Sequence, residues 1–301
     1  MKKIPALLLA LCMIFALAAC GRQAAPATPA PAAEQPAEQT AAGEPAPAEE
    51  PAPAPEEVEL VVFAAASMTE TMTEIKAMYE AANPGVTITC NFDSSGTLKT
   101  QIQEGAECDL FISAAPKQMN ALDVSCDAEK NPDGLDFVLQ GSRVDLLENK
   151  VALVVPEGNP KNINSFDELA AALRDGEILM AMGNEDVPVG QYTQKILAFY
   201  GLSEEELAAA GKITYGSNVK EVTTQVKEGS VDCGVVYCTD AASAGLTIRD
   251  TATKEMCGQI IYPAAVMKNS ANIQAAQAFL DFVAVGAGKD ILSKYGFSPL
   301  G

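Results

Sequence analysis

Four short polar turns carry the residues of this sequence whose types and spacing could do chemistry. The turns span residues 64–70, 93–98, 187–191 and 216–219, and each one lies between a predicted strand and a predicted helix. Backbone amides at a helix N-terminus carry partial positive charge and attract anions. Each turn alone is typical of ordinary helix capping, and Ser67 with Glu70 matches a capping box. Together the four turns predict an anion site built from neutral hydrogen-bond donors.

The elements that position these turns alternate between strands and helices along the chain. Apolar or alternating runs predict strands at residues 58–63, 86–92, 109–113, 151–155, 178–182, 231–237 and 259–267. Helices are predicted to end near residue 83 and to span about 96–104, 117–122, 166–174, 190–200, 203–210, 219–228 and 272–285. This alternation is typical of an α/β fold with largely parallel sheets, whose ligands bind at the carboxyl ends of strands.

The composition excludes several classes of function. The 301 residues include 20 Lys and Arg against 40 Asp and Glu, which gives a net charge of −20. Such an acidic chain disfavours nucleic acid and an anionic membrane surface as partners. Because the sequence has no histidine, Ser-His-Asp triads, Cys-His dyads and zinc sites with histidine ligands are excluded. We expect no catalytic residues, no cofactor and no metal bound directly by side chains.

One pattern keeps an enzymatic alternative open. Ser217 and Lys220 fit the Ser-x-x-Lys spacing of penicillin-interacting enzymes, which need no histidine. A pattern fixed at only two positions is expected about once by chance in a chain of this length. The companion Lys-Thr-Gly motif is absent from the sequence. The residues therefore favour a binding protein over an enzyme.

The first twenty residues predict an export signal. Lys2 and Lys3 precede an apolar run over residues 4–19, which is shorter than the roughly 20 residues of a membrane-spanning helix. The run ends in the sequence LAAC, which resembles a bacterial lipobox and whose cysteine is Cys20. We therefore predict a lipoprotein signal peptide at residues 1–19 and a lipid on the Cys20 thiol. The lipid would hold the protein on the extracytoplasmic face of the cell membrane.

The segment after Cys20 predicts a linker. Residues 21–57 consist mainly of alanine, proline, glutamate, glutamine and threonine. This composition offers too little apolar surface to offset the entropy of ordering, and its prolines favour an extended chain. We expect residues 20–57 to be disordered and residues 58–301 to form the folded domain.

The folded domain contains six cysteines, Cys90, Cys108, Cys126, Cys233, Cys238 and Cys257. An exported domain with six cysteines could carry disulfides. However, one cysteine lies in a predicted strand and two others bracket a second strand, which favours small buried thiols. The sequence leaves their oxidation state open.

Five stretches of the sequence together match one known family. They are VVFAAASMTETMTEI at 61–75, FDSSGTLKTQIQEGAECDLFISA at 92–114, VPVGQYTQKIL at 187–197, SNVKEVTTQVKEGSVDCGVVYCTDA at 217–241 and KYGF at 294–297. The stretches resemble the molybdate-binding proteins of ABC importers, the ModA family, and follow its order and rough spacing from about residue 60 to residue 297. The resemblance implies the type II periplasmic binding protein fold, in which two α/β lobes joined by crossover strands enclose an oxyanion. Lobe 1 would span about 58–145 and 240–301, and lobe 2 about 146–239.

The resemblance also implies the residues that bind the ligand. Ser67 and Ser95 match two ligand serines of the family and would belong to lobe 1. Val189 stands where the family commonly has alanine, and it would contribute a backbone amide, as would Val219. Tyr237 would contribute its hydroxyl, and these last three residues would belong to lobe 2. Closure of the cleft would complete the set of donors.

A pocket that offers only donors fits one kind of anion. A tetrahedral dianion without a proton offers only acceptors, so hydroxyls and amides suffice and no Arg or Lys is required. A protonated phosphate would also need an acceptor in the pocket. Asp93 lies beside the second turn, where the family more often has a small residue, and we expect it to cap the turn or face solvent. On the same grounds we expect Lys220→Ala to leave binding nearly unchanged.

The sequence thus predicts a lipid-anchored receptor that captures molybdate. Tungstate should bind similarly, because the two oxyanions have nearly the same size, charge and geometry. We expect a monomer that delivers its ligand to the permease of an ABC transporter with its ATPase. A receptor for sulfate or phosphate is an alternative. A lipid-anchored sensory or scaffolding module that kept the fold and lost the ligand is another.

Overall fold

Two mixed β-sheets flanked by helices form residues 57–300, the part of the chain that a computed structural model describes. The predicted signal peptide, the Cys20 lipidation site and the linker up to residue 56 lie outside the described residues. The strands are β1 (Val58–Ala65), β2 (Val86–Asp93), β3 (Leu110–Ile112), β4 (Val144–Asn149), β5 (Val151–Val155), β6 (Met180–Gly183), β7 (Ile213–Gly216), β8 (Cys233–Tyr237), β9 (Thr247–Thr251), β10 (Ile260–Val266) and β11 (Ser298–Pro299).

The helices pack against these sheets, and most of them follow a strand directly. They are α1 (Thr69–Ala82), α2 (Ser95–Gln103), α3 (Pro116–Asn120), α4 (Phe166–Asp175), α5 (Pro188–Phe199), α6 (Glu204–Ala209), α7 (Val219–Lys227), α8 (Cys238–Ala244), α9 (Lys254–Cys257), α10 (Ile273–Ala284) and α11 (Ala287–Lys294). A short 3-10 turn, Ala66–Met68, joins β1 to α1. No helix of residues 57–300 is both long and apolar enough to cross a membrane.

The first sheet has the strand order β11-β4-β10-β3-β1-β2. Strand β1 lies between β2 and β3 and pairs with both in parallel. Leu60 and Val62 on β1 are fully buried, as expected for a parallel strand that is covered by helices on both faces. The carboxyl ends of β1 and β2 therefore meet at one edge, where the 3-10 turn and α2 begin. We call this sheet and its helices lobe 1.

The second sheet has the strand order β7-β6-β8-β5-β9, and we call it with its helices lobe 2. Strands β6, β7 and β8 are parallel, whereas β5 pairs with β8 and β9 in antiparallel register. The chain crosses from lobe 1 to lobe 2 at Lys150, the residue between β4 and β5. The sequence did not predict β4, which supplies this crossing.

In the structure, lobe 2 ends later in the chain than the sequence predicts. The resemblance set it at residue 239, but β9 pairs with β5 of the second sheet, with Thr251 opposite Ala152. Helix α9 packs against α5 of the same lobe. The chain therefore returns to lobe 1 between Cys257 and Ile260. The difference arises because β9 is an edge strand with mostly exposed side chains, which lacks the apolar pattern of a buried strand.

All six cysteines of the domain are free thiols. Burial raises the pKa of Cys90 to about 11 and that of Cys233 to about 12. Thiols with such pKa values carry little thiolate at neutral pH and are chemically inert. Of the two interpretations that the sequence left open, the structure has free thiols, of which Cys233 and Cys257 are buried and the other four are half-buried.

Candidate functional site

A small pocket lies between the two lobes, at the carboxyl ends of β1, β2 and β8. Its cavity volume is about 10 Å³, which is space for about one water molecule and far less than the roughly 300–1,000 Å³ of pockets for organic ligands. No lysine or arginine is among the described residues that line it. Lobe 1 and lobe 2 both contribute lining residues, which are Ala65, Ala66, Ser67, Asp93, Ser94, Ser95, Ala114, Val187, Pro188, Val219 and Tyr237.

Two buried serines contribute hydroxyls from lobe 1. Ser67 lies in the 3-10 turn after β1, and its Oγ is 3.0 Å from the hydroxyl of Tyr262. Ser95 is the first residue of α2, and its Oγ accepts a hydrogen bond from the amide of Ala114 at 2.9 Å. Because an amide can only donate, the hydroxyl proton of Ser95 is left for another acceptor.

The N-termini of three helices meet the pocket with unpaired amides. The first amides of a helix have no partner within the helix. In α7 the side chain of Asn218 accepts from the amides of Lys220 and Glu221, and this cap leaves the amide of Val219 without an intrahelical partner. In α2 the hydroxyl of Ser94 accepts from the amide of Thr97. Partial positive charge therefore converges on the pocket, although no lysine or arginine is among the described residues that line it.

The amide of Val189 belongs to the third of these helices. Val187 and Pro188 line the pocket, and Val189 is fully buried as the second residue of α5. Because Pro188 has no amide hydrogen, Val189 offers the first amide of this helix. Val189 itself, backbone included, is not among the residues that line the pocket.

Tyr237 approaches the pocket from the end of β8. Its side chain is almost completely buried, and its hydroxyl lies 3.4 Å from the carbonyl oxygen of Ala114 in lobe 1. Burial raises the pKa of Tyr237 well above its ordinary value, so the hydroxyl keeps its proton. A contact as long as 3.4 Å is weak, and the proton is available to a stronger acceptor such as an anion.

Asp93 lies at the rim of the pocket and is half-buried. Its Oδ1 accepts a hydrogen bond from the amide of Ser94 at 2.7 Å. The expectation that this carboxylate caps the turn is therefore confirmed. The residue nevertheless lines the pocket, so its second oxygen can influence which anion is tolerated.

The expected capping box of Ser67 and Glu70 is wrong. The hydroxyl of Ser67 contacts Tyr262, and α1 has no side-chain cap. The carboxylate of Glu70 reaches across the cleft and accepts hydrogen bonds at 2.8 and 2.9 Å from the ammonium of Lys220 in lobe 2. The local spacing fits a cap, but a buried hydroxyl and a cation from the other lobe are the partners that the tertiary structure supplies.

Lys220 also contacts Asp240, whose Oδ1 is 3.2 Å from the ammonium nitrogen. Asp240 is fully buried, and burial raises its pKa to about 6 although Lys220 opposes the shift. Burial would lower the pKa of Lys220, but the two carboxylates outweigh this effect and raise it. A lysine held in its charged form is not poised to act as a general base, which weakens the interpretation of Ser217 and Lys220 as an enzyme pair.

The backbones of the two lobes touch beside Ser95. The amide of Gly96 donates to the carbonyl oxygen of Asp186 at 3.0 Å, so α2 of lobe 1 contacts the loop before α5 of lobe 2. A Cβ atom at position 96 would lie 2.3 Å from that oxygen. Only glycine permits this approach, and the sequence reasoning did not assign it a role.

The structure thus brings Ser67, Ser95, Val219 and Tyr237 to one pocket and places Val189 at the helix start beside it. It adds Tyr262 and Asn149, which are buried behind Ser67 and hydrogen-bonded to each other. Neither lies in a turn that the sequence singled out. A buried polar side chain far along the chain has no local signature, so only the folded chain reveals this contact.

Comparison with known proteins identifies the relatives of this chain. A family model described as bacterial extracellular solute-binding protein matches residues 60–298. The putative ABC transporter substrate-binding lipoprotein YvgL of Bacillus subtilis is 33% identical over 243 residues, which cover 80% of this chain and 86% of that protein. The molybdate-binding protein ModA of Mycobacterium tuberculosis is 32% identical over 240 residues, which cover 79% and 84% of the two chains.

Solved structures with the same architecture include three oxyanion-related proteins. The substrate-binding domain of a putative molybdenum ABC transporter from Clostridium difficile has a TM-score of 0.59 at 30% identity and covers 81% of this chain and 99% of its own. The periplasmic molybdate-binding protein of Azotobacter vinelandii has a TM-score of 0.68 at 22% identity, with 80% and 100% covered. The sulfate-binding protein SubI of M. tuberculosis has a TM-score of 0.63 at 19% identity, with 81% and 88% covered. The last two likenesses support the type II periplasmic binding protein fold alone.

Proposed function

Because this chain belongs to the bacterial extracellular solute-binding proteins, and among them to the ModA family, we propose that it captures molybdate outside the cytoplasm. It is a substrate-binding protein of an ABC transporter. In the proposed function it binds tungstate in the same pocket and delivers either oxyanion to the permease. The C. difficile substrate-binding domain, named for molybdenum, and the M. tuberculosis protein ModA, named for molybdate, favour this ligand.

The observation that carries the proposal is the set of donors around one small pocket. The hydroxyls of Ser67, Ser95 and Tyr237 and the amide of Val219 come from residues of both lobes that line the pocket. We propose that the amide of Val189, which follows the lining residue Pro188, joins them. No lysine or arginine lines the pocket within residues 57–300. Neutral donors fit a tetrahedral dianion that carries no proton, since such an ion offers acceptors on every side.

A sulfate or phosphate receptor is the second candidate. Sulfate presents the same acceptors as molybdate in a smaller ion, and the fold is shared with a sulfate-binding protein. Asp93 at the pocket is the one observation that favours hydrogen phosphate, because a carboxylate oxygen can accept its proton. The bond from the Ser94 amide occupies only one oxygen of that carboxylate.

Calorimetric titration of residues 58–301 with molybdate, tungstate, sulfate and phosphate tests the proposal. We expect molybdate and tungstate to bind tightly and with similar affinity. Sulfate and phosphate should bind far more weakly. Tight binding of sulfate or phosphate, with no binding of molybdate, would refute the proposed ligand.

We also propose that a lipid on Cys20 anchors the protein to the cell membrane. The proposal rests on the LAAC sequence at residues 17–20, and YvgL, a relative, is named a lipoprotein. Cys20→Ser should release the protein from the membrane fraction without changing its affinity for the oxyanion. If Cys20→Ser is processed and fractionates with membranes like the unchanged protein, there is no such anchor.

A further inference from the structure

A buried chain of hydrogen bonds leads from the crossing between the lobes to the ligand-site serine. Asn149 ends β4, and its Oδ1 accepts from the amide of Lys150, the crossing residue, at 2.8 Å. Its Nδ2 donates to Thr239 Oγ1 at 3.0 Å and to the hydroxyl oxygen of Tyr262 at 3.1 Å. That hydroxyl in turn lies 3.0 Å from Ser67 Oγ. Asn149, Thr239, Tyr262 and Ser67 are all buried.

The first proton direction in this chain follows from Asn149. A backbone amide can only donate, so the oxygen of the Asn149 side chain must face Lys150 and the nitrogen must face Tyr262. The Tyr262 oxygen therefore receives a hydrogen from Asn149. In the contact between Tyr262 and Ser67 either hydroxyl can be the donor. Since Asn149 Nδ2 can only donate, Ser67 Oγ is the one of these two partners that can accept the proton of Tyr262.

This arrangement sets what Ser67 offers to the pocket. Burial raises the pKa of Tyr262 well above its ordinary value, so Tyr262 keeps the proton that it donates. With Ser67 Oγ as the acceptor from Tyr262, the proton of Ser67 is left to point into the pocket that this serine lines. Ser95 reaches the same state by accepting from the amide of Ala114.

We propose that Tyr262 is a positioning residue that makes Ser67 a donor, and not an acceptor, toward an oxyanion in the pocket. This inference rests on the proposed function of the pocket and deepens it. It explains how a hydroxyl, which can donate or accept, comes to select against ions that carry a proton. The selectivity for fully deprotonated oxyanions then depends on a tyrosine that does not line the pocket.

A double-mutant cycle on the full chain tests this inference. Ser67→Ala should weaken molybdate binding about 10- to 150-fold, as expected for a hydrogen bond to a charged group. Tyr262→Phe should weaken it about 3- to 10-fold, since Ser67 keeps its hydroxyl but loses the group that orients it. In the Ser67→Ala background, Tyr262→Phe should have little further effect, because Tyr262 acts through Ser67.

Ion preference provides a readout that a purely structural role would not change. After Tyr262→Phe, Ser67 Oγ is free to accept a proton, so hydrogen phosphate should gain at least about threefold in affinity relative to molybdate. Tyr192→Phe is the matched control, because Tyr192 is buried beside Tyr237 and its ring packs edge-on at 6.5 Å. This control should change neither the affinity nor the preference.

Three outcomes would overturn the inference. They are additive losses in the cycle, an unchanged ion preference in Tyr262→Phe, and an equal loss in Tyr192→Phe. If Tyr262→Phe does not fold, Asn149→Ala replaces it in the cycle, and its effect must likewise vanish in the Ser67→Ala background.

If the proposed function is wrong, the titrations with the four oxyanions show it separately from the cycle. A protein that binds sulfate more tightly than molybdate refutes molybdate as the ligand, and the same cycle is then measured with sulfate. A protein that binds none of molybdate, tungstate, sulfate and phosphate overturns both the proposed function and the role of Tyr262.

Discussion

Single residues in the pocket act through the direction of their protons. Ser95 accepts a hydrogen bond from the amide of Ala114 and so presents a donor to the pocket. In the arrangement that we infer, Ser67 accepts from Tyr262 and does the same. Amides of helix N-termini are also donors. In the proposed function, the pocket recognises a dianion through these donors, since no lysine or arginine is among the described residues that line it.

Replacement of a single hydroxyl should weaken binding strongly. Ser95→Ala removes one hydrogen bond to a charged group, which is worth roughly 1.5–3 kcal/mol, so affinity should fall about 10- to 150-fold. Titration calorimetry measures this loss. Ser142→Ala is a suitable control, because Ser142 is equally buried but bonds only to Leu139 and Val266. Val189→Ala should have a much smaller effect, since the amide survives.

A different result would reassign the site. If Ser95→Ala binds as tightly as the unchanged protein while Ser142→Ala does not, the pocket between the lobes is not where the oxyanion binds. The unfolding temperature of both variants distinguishes lost contacts with the ligand from lost stability.

Secondary-structure elements decide how closely the two lobes approach. Helix α2 of lobe 1 touches the loop before α5 of lobe 2 through the bond from Gly96 to Asp186. Helix α1 of lobe 1 is linked to α7 of lobe 2 by the ion pair of Glu70 and Lys220. Each contact includes a residue next to a candidate ligand donor. Gly96 directly follows Ser95, and Lys220 directly follows Val219. We therefore expect closure of the lobes to assemble the donor set at the same time.

Gly96→Ala should hold the lobes apart. Its Cβ would lie 2.3 Å from the carbonyl oxygen of Asp186, and overpacking of this kind costs about 1–3 kcal/mol. If the cost falls on the closed form, affinity drops about 5- to 150-fold. Small-angle scattering with saturating ligand should show a more open molecule. Thr100→Ala, on the exposed face of the same helix, is the control, and an equal effect there would contradict the explanation.

Lys220→Ala should destabilise the fold, whereas the expectation from the sequence concerned only its small effect on binding. Its loss leaves Asp240 buried without a counter-ion, and we expect the free energy of unfolding to fall by about 1–3 kcal/mol. Adding Asp240→Asn to Lys220→Ala should restore much of that stability, because the buried charge is then removed. Denaturant titrations of the single and double variants measure both effects. A double variant no more stable than Lys220→Ala would show that Asp240 is not the cause.

At the scale of the whole molecule, the buried carboxylate makes stability depend on pH. Asp240 faces Lys220, Glu70, Tyr237 and Tyr262, and burial raises its pKa to about 6. Because the folded protein holds this proton more tightly than the unfolded chain, the resulting stability is fully present below about pH 4 and is lost as the pH rises through about 6.

Asp240→Asn should remove this pH dependence. Relative to the unchanged protein, the variant should gain up to about 3 kcal/mol in free energy of unfolding between pH 4 and pH 7. Denaturant titrations at intervals of one pH unit measure the difference between the two proteins. A difference that stays constant over this range would mean that Asp240 does not titrate as described.

The sequence by itself determined the fold class and the turns that carry the donors. Apolar runs such as that of β1, and polar turns such as that around Ser95, are local patterns whose burial and capping follow from their own residues. The same local patterns, with the family resemblance, placed Ser67, Ser95, Val219 and Tyr237 at one pocket. Chemistry that resides in a helix start or a strand end can be predicted because neighbouring residues create it.

Only the tertiary structure decided which distant groups meet. Edge strand β9 belongs to lobe 2, Glu70 pairs with Lys220 instead of capping α1, and Asn149 orients Tyr262 behind Ser67. The side chains that meet in this way are far apart in the sequence. The separation is 90 residues for Asn149 and Thr239, 150 for Glu70 and Lys220, and 195 for Ser67 and Tyr262. Their contacts depend on the packing of two lobes around a crossing, and a hydrogen bond between such distant residues leaves no periodicity or spacing in the sequence. Local sequence therefore determines which groups can donate to a ligand, and long-range packing determines which distant partners orient these groups.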